Sequence, residues 1–140
     1  MNEPVELRGA GWDSRLVAST GSDAMPFAPA VVASGRTVWL SGATAFPLLP
    51  GDPDHSRGDI AEQTRACLEN LRKVLETAGG TITDIVKVTI FNTDMDQQAA
   101  VNEVYRDFFG AHRPARSHIG VQRLADAGLK IEIEAVAAIG

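Results

Sequence analysis

The sequence predicts an α+β fold, with one sheet carrying two helices on one of its faces, and three observations predict it. Residues 59–78 repeat apolar or small side chains at three- and four-residue spacing, and residues 97–109 do so again; this is the signature of helices burying one stripe. Between and around them lie short β-branched runs bounded by glycine, proline and aspartate, which read as strands. Two helices and several strands in 140 residues are enough for one layer of helix on one layer of sheet, so the whole chain, residues 1–140, is expected to form a single domain.

The elements follow in order. Residues 15–20 are a short strand candidate. Residues 28–34 and 37–41 are apolar runs flanking Gly35-Arg36, which reads as a hairpin, and Ser41-Gly42 ends its second strand. Residues 47–58 hold three prolines and two glycines among acidic and polar residues, and are therefore a surface loop. The first helix opens at Asp59, a capping residue, with Glu62 three positions on completing a capping-box pattern. Its buried stripe is Ile60, Thr64, Cys67, Leu68, Leu71, Val74, Leu75 and Ala78, and Gly79-Gly80 stops it. Residues 85–91 form a strand with Val86, Val88 and Ile90 on one face and Lys87 and Thr89 on the other. The second helix buries Val101, Val104, Tyr105, Phe108 and Phe109 and ends at Gly110. Residues 116–121 and 130–139 are the last strands. The sheet face without helices is left to be covered, and self-association is a natural way to do it.

Composition excludes several classes. The net charge of −5 opposes nucleic acid as a main partner, because phosphate binding needs a basic face. No apolar run nears the roughly 20 residues that span a bilayer. The N-terminal residues are acidic rather than secretory in pattern, and the one cysteine, Cys67, precludes an intrachain disulfide. A soluble, cytoplasmic protein is the expectation. His55, His112 and His118 have no metal-ligand spacing, so no metal is expected. No nucleophile elbow, dinucleotide or phosphate-loop fingerprint is present.

Two short segments carry the candidate chemistry. In Pro114-Ala115-Arg116-Ser117, Arg116 begins a strand and can clamp a small carboxylate through its planar fork. Alternation puts His118 on the same face as Arg116. A solvated arginine at a strand end is an equally good reading of the residues alone. In Lys130-Ile131-Glu132-Ile133-Glu134-Ala135, Glu132 and Glu134 share one face, and either a polar strand face in water or a working carboxylate fits. The apolar continuation Val136-Ala137-Ala138-Ile139 points to a largely buried strand, in which a carboxylate needs a partner. Arg116 on a neighbouring stretch is the expected partner, and the pair suggests chemistry on a small organic acid.

From residue 26 to 139 the chain also resembles the Rid (YjgF) family of imine and enamine deaminases. The residues that carry the likeness are Val38-Trp39-Leu40-Ser41-Gly42, Gln63-Thr64-Arg65, Leu71 through Gly80, Asp84-Ile85-Val86-Lys87, Val101-Asn102-Glu103-Val104-Tyr105, Phe108-Phe109, and the two segments just described. Pro26-Phe27-Ala28-Pro29 and the helix ending at Gly80 are most similar to the branch acting on aminoacrylate in pyrimidine breakdown. The resemblance implies a chorismate-mutase-like fold and a homotrimer with a central barrel, its active sites lying in clefts between subunits. It implies that Arg116 binds the substrate carboxylate, Glu132 orients the attacking water, and Ser41, Gly42, Phe27 and His118 line the pocket. It implies hydrolysis of 2-aminoacrylate-type enamines to 2-keto acids and ammonia, with no cofactor. Two residues depart from the family pattern: His118 stands where many members have cysteine, and Phe27 where many have tyrosine. They leave open a non-catalytic trimer that binds or senses small carboxylates, and a deaminase for a larger enamine.

Overall fold

The structure is a computed structural model and describes residues 2–5 and 26–140; the strand candidate at 15–20 lies outside the described residues. The described elements are β1 (Glu3–Val5), β2 (Ala30–Val32), β3 (Arg36–Ala43), α1 (Ile60–Thr77), β4 (Ile85–Asn92), α2 (Gln98–Phe109), β5 (Ala115–Gly120) and β6 (Ile131–Ile139). The order of strands and helices is the expected one, and α1 and α2 pack on the main sheet and on each other.

The sheet differs from expectation in two ways. The described strands make two sheets: β1 pairs with β2, and a second sheet runs β3-β6-β4-β5. The hairpin expected around Gly35-Arg36 is therefore not formed. Gly35 has φ +116°, a conformation glycine adopts without strain, and a Cβ there would lie 2.4 Å from the Ile139 carbonyl oxygen. The chain turns at this point from one sheet into the other. β3 then finds its ladder on the nine-residue β6, from Arg36↔Ile139 to Ala43↔Ile133, a longer partner than the three residues of β2.

The second difference is that β4 lies between β5 and β6, antiparallel to β6 and parallel to β5. The strands that carry Arg116 and Glu132 are thus not neighbours. Directly paired residues share a sheet face, so one row runs Leu40, Ala135, Val88, Arg116. The first three belong to the core beneath the helices, which places Arg116 on the helix face. Glu132 pairs with Phe91, which pairs with Ile119, and these alternate onto the open face. Trp39 also stands on the open face and is 78% exposed.

The helices form for the reasons the sequence gives, with local exceptions. Ile60, Thr64, Cys67, Leu68, Leu71 and Leu75 are buried in α1, whereas Val74 and Ala78 are exposed. Each fully buried leucine contributes about 1.5–3 kcal/mol. Asp59 accepts the Glu62 N–H at 2.8 Å, but the Glu62 carboxylate turns to His55 Nδ1 at 3.1 Å instead of closing the capping box. Gly79 (φ +90°) and Gly80 end α1, with their N–H groups donating to Glu76 and Leu75. In β4 the register shifts between Ile85 and Lys87, so that Ile85 rather than Val86 joins Val88 and Ile90 in the core.

A buried glutamine ties three segments together. Gln63 Nε2 donates to the carbonyls of Ser56, Gly58 and Gly128, and its Oε1 accepts the Lys130 N–H at 2.9 Å. It joins the long loop, the start of α1 and the entry to β6, two residues before Glu132. Replacing it strands several backbone groups without partners. Gln63→Leu is expected to lower unfolding free energy by about 2–4 kcal/mol in urea titrations; an unchanged midpoint and slope would show that water replaces these bonds.

Candidate functional site

Arg116 occupies a site assembled from three parts of the chain. The Ala28 N–H donates to the Pro114 carbonyl at 3.0 Å, and Ala28 bridges Ala115, which pins the segment carrying Phe27 against the start of β5. From the other side α2 presents Tyr105 and Asn102, one turn apart on its buried stripe. The Arg116 guanidinium carbon lies 4.9 Å from the Phe27 ring centroid and 4.8 Å from that of Tyr105. A desolvated cation on an aromatic face gains up to about 2 kcal/mol.

One edge of the guanidinium is hydrogen-bonded and the other has no hydrogen bond among the described residues. Nη1 donates to Asn102 Oδ1 at 2.8 Å, while Nε is buried and has no partner. The fork is planar, so fixing Nη1 and both ring faces leaves the Nε–Nη2 edge for a bidentate acceptor such as a carboxylate. Burial pulls the guanidinium down to about 10, so it remains fully charged near neutral pH. Phe27 does its work with its ring face, a role that needs no hydroxyl. Tyr105 is fully buried, as the helix stripe predicts, and is also the platform under Arg116.

His118 lies two residues along β5 on the same face. Its Nε2 is 3.0 Å from Asn92 Nδ2, and Asn92 Oδ1 accepts the Asp94 N–H at 2.8 Å, which sets the amide orientation. Nε2 is therefore an acceptor and Nδ1 carries the proton. That Nδ1–H is buried and unpartnered. Burial, helped by the nearby Arg116 charge, pulls the imidazole down to about 4, so the ring is neutral at physiological pH.

The remaining candidates gather on the opposite face. The register shift between Leu40 and Ala43 makes Ser41 and Gly42 a bulge in β3. A Cβ on Gly42 would stand 2.4 Å from Glu132 Oε2, so the missing side chain is the space the carboxylate occupies. Glu132 has no hydrogen-bond or ion-pair partner among the described residues. A cavity of about 300 Å³ also borders the bulge, between β3, the segment after it and α1, lined by Ser41, Gly42, Phe46, Asn70, Leu71 and Val74 among others; Glu132 does not line it. Arg116 and Glu132, expected on neighbouring stretches, are thus separated by β4 and stand on opposite faces of the sheet. Arg116, Phe27 and His118 form one half-site, and Ser41, Gly42 and Glu132 form another, with the sheet between them.

Sequence reasoning missed Asn102 and Asn92, both fully or nearly fully buried. The available signal was an amide on an otherwise apolar stripe and another closing a buried strand, since buried amides need partners.

A mixed sheet backed by two helices, with an arginine packed on two aromatic rings on one side and a glutamate over a glycine bulge on the other, defines an α+β protein with two candidate half-sites. The chain belongs to the endoribonuclease L-PSP family, the Rid/YjgF family, whose profile matches residues 20–139. It is 41% identical over 112 residues to a RutC family protein of Pyrococcus horikoshii, covering 80% of this chain and 86% of that one. Among solved structures, a conserved Rid family protein from Yersinia pestis matches with a TM-score of 0.78 at 30% identity, covering 99% of this chain and 98% of that chain. Escherichia coli TdcF, solved with bound serine, matches with a TM-score of 0.67 at 36% identity, covering 83% and 90%. No helix among the described residues is long and apolar enough to cross a membrane.

The neutral His118 has a consequence for stability. Its folded value of about 4 lies below the ordinary 6.5, so on acidification the unfolded chain takes up a proton first. Its contribution is fully present above pH 6.5 and is lost as pH falls towards 4. With discounting for partial solvation this amounts to about 1–2 kcal/mol. Urea midpoints of wild type and His118→Asn, compared from pH 7 to 4, are expected to converge on acidification; parallel profiles would show that His118 titrates alike in both states.

Proposed function

We propose that the chain, residues 1–140, acts as one Rid-type domain in a cytoplasmic homotrimer with a central barrel. It hydrolyses small enamines and imines of the 2-aminoacrylate type to 2-keto acids and ammonia. The observation that carries this reading is the free Nε–Nη2 edge of Arg116, a buried cation prepared for one planar anion. Family membership and a relative solved with serine, a small amino acid, support a substrate of this size.

In the reaction the enamine tautomerises to its imine. Arg116 holds the carboxylate side-on and so fixes the imine carbon. Glu132 from a neighbouring subunit, seated over Gly42, orients a water and accepts its proton as the oxygen adds to that carbon. That proton passes to the nitrogen and gives a carbinolamine; the proton of the new hydroxyl then moves to the nitrogen by way of Glu132 as the C–N bond breaks and the C=O bond forms, leaving ammonia and a 2-keto acid. The imine is already electrophilic, so positioning and proton transfer suffice and the reaction needs no cofactor. The position of the two half-sites on opposite faces of one sheet supports placing Glu132 in the neighbour. The alternative of a trimer that binds small carboxylates without turnover needs the Arg116 half alone and gives Glu132 and its glycine bulge no task. Ribonuclease chemistry is not proposed, because the net charge of −5 opposes a polyanion.

The test is release of ammonia and keto acid from an enamine generated in situ by a serine or threonine dehydratase. Wild type is expected to accelerate it. Arg116→Ala is expected to lose about 10²–10³-fold in kcat/KM, the cost of two charge-assisted hydrogen bonds. Glu132→Gln is expected to lose about 10²–10⁴-fold in kcat with KM little changed. Binding of 2-keto acids at Arg116 without acceleration would replace this reading by the carrier or sensor.

A further inference from the structure

Of the four buried side-chain polar atoms lacking a hydrogen bond among the described residues, Arg72 Nε faces the Glu69 carboxylate, and the other three belong to Arg116 (Nε), to the Tyr105 ring packed on it (Oη) and to His118 two residues along β5 (Nδ1). A buried donor left unpaired costs about 1–3 kcal/mol, so such atoms are where an absent acceptor is sought. Arg116 and His118 lie on one face of β5, with Cα atoms about 7 Å apart by strand geometry. No carboxylate of the described chain contacts either ring or guanidinium. The acceptors to hand, Asn102 Oδ1 and His118 Nε2, are already engaged.

The available donors can be counted. A planar carboxylate satisfies the Nε–Nη2 edge of Arg116 with its two oxygens. The Tyr105 hydroxyl and the His118 Nδ1–H are then left over; a hydroxyl can donate or accept, whereas the Asp94–Asn92–His118 chain holds the His118 Nδ1–H as a donor by fixing the amide and hence the tautomer. We propose that His118 is a specificity-determining residue that reads a third oxygen. The favoured ligands are accordingly 2-oxo or 2-imino acids whose side chain carries a hydroxyl, carbonyl or carboxylate acceptor near the reacting carbon. The proposal rests on the reading of Arg116 as the carboxylate clamp. It gives the His118 departure from the family pattern a chemical meaning, since a thiol is a weaker donor than an imidazole N–H.

The test compares two keto acids of equal heavy-atom count, 3-hydroxypyruvate and 2-oxobutyrate, which differ by a hydroxyl in place of a methyl. Titration calorimetry on the intact wild-type protein is expected to give about tenfold tighter binding of 3-hydroxypyruvate, the worth of one good hydrogen bond. His118→Leu is expected to bring the ratio to about one. His118→Asn, whose amide Nδ2–H reproduces the Nδ1–H position, is expected to restore it. On wild type alone, the His118 Nδ1 nitrogen resonance should move with 3-hydroxypyruvate and not with 2-oxobutyrate, which keeps the test valid if a variant fails to fold. A wild-type ratio of one, binding of neither ligand, or a ratio that survives His118→Leu would overturn the proposal. An equal loss of both ligands in His118→Leu would overturn it as well, because His118 would then serve the shared carboxylate. Failure of the clamp has a separate signature: Arg116→Ala would still bind both ligands with the ratio intact.

Discussion

The packing of one guanidinium on the faces of both Phe27 and Tyr105 is the constraint on which the rest of the Arg116 half-site depends. A buried arginine is costly unless its charge is compensated, and here no carboxylate of the described chain compensates it. Two ring faces and one amide oxygen do so in part, and they also fix the plane of the fork. The elements around it can be understood as supports for that plane. β4 and β6 back β5, α2 supplies the Tyr105 ring and the Asn102 amide, and the bridge at Ala28 brings the Phe27 ring into place. A second, uncharged donor on the same strand face turns this corner of the fold into a site made almost wholly of donors.

The open face obeys a different logic. There the chain removes a side chain, at Gly42, and the space goes to a carboxylate. The bulge that carries Gly42 interrupts the β3 ladder next to Glu132, so a cost in sheet regularity coincides with the place where chemistry is proposed. Trp39, on the same face and largely exposed, is the kind of surface that another protein chain covers. The proposed shared site requires a second chain on this face whose Arg116 edge reaches this Glu132.

How much of this was legible depended on the range of the interactions. Helix α1 could be read because its stripe, its Asp59 cap and its Gly79 stop are all local. The burial of β6 on both sides could be read from Val136-Ala137-Ala138. Arg116 and Glu132 could be singled out as residues, but not their separation. Alternation fixes which residues of one strand share a face, and says nothing about which strand lies between two others. The placement of β4 between β5 and β6, the pairing of β2 with β1, and the register shifts at Ser41-Gly42 and at Val86 are all set by contacts distant in sequence. Phe27 could be named as an aromatic near the site, whereas its stacking on Arg116 depends on a bridge between residues far apart in the chain. Asn102 was hidden because it sits on a stripe whose other members are core.

The central claim is that Arg116 of one chain and Glu132 of another act on one substrate, and mixed oligomers test it most directly. Arg116→Ala and Glu132→Gln chains, each inactive alone, would be co-expressed with different tags and the mixed species purified. If the site is shared between neighbours, every mixed trimer holds one intact site in three, and deaminase activity returns to about a third of wild type. If mixed oligomers form and activity does not return, both residues must act from the same chain, and the account of the two half-sites is wrong.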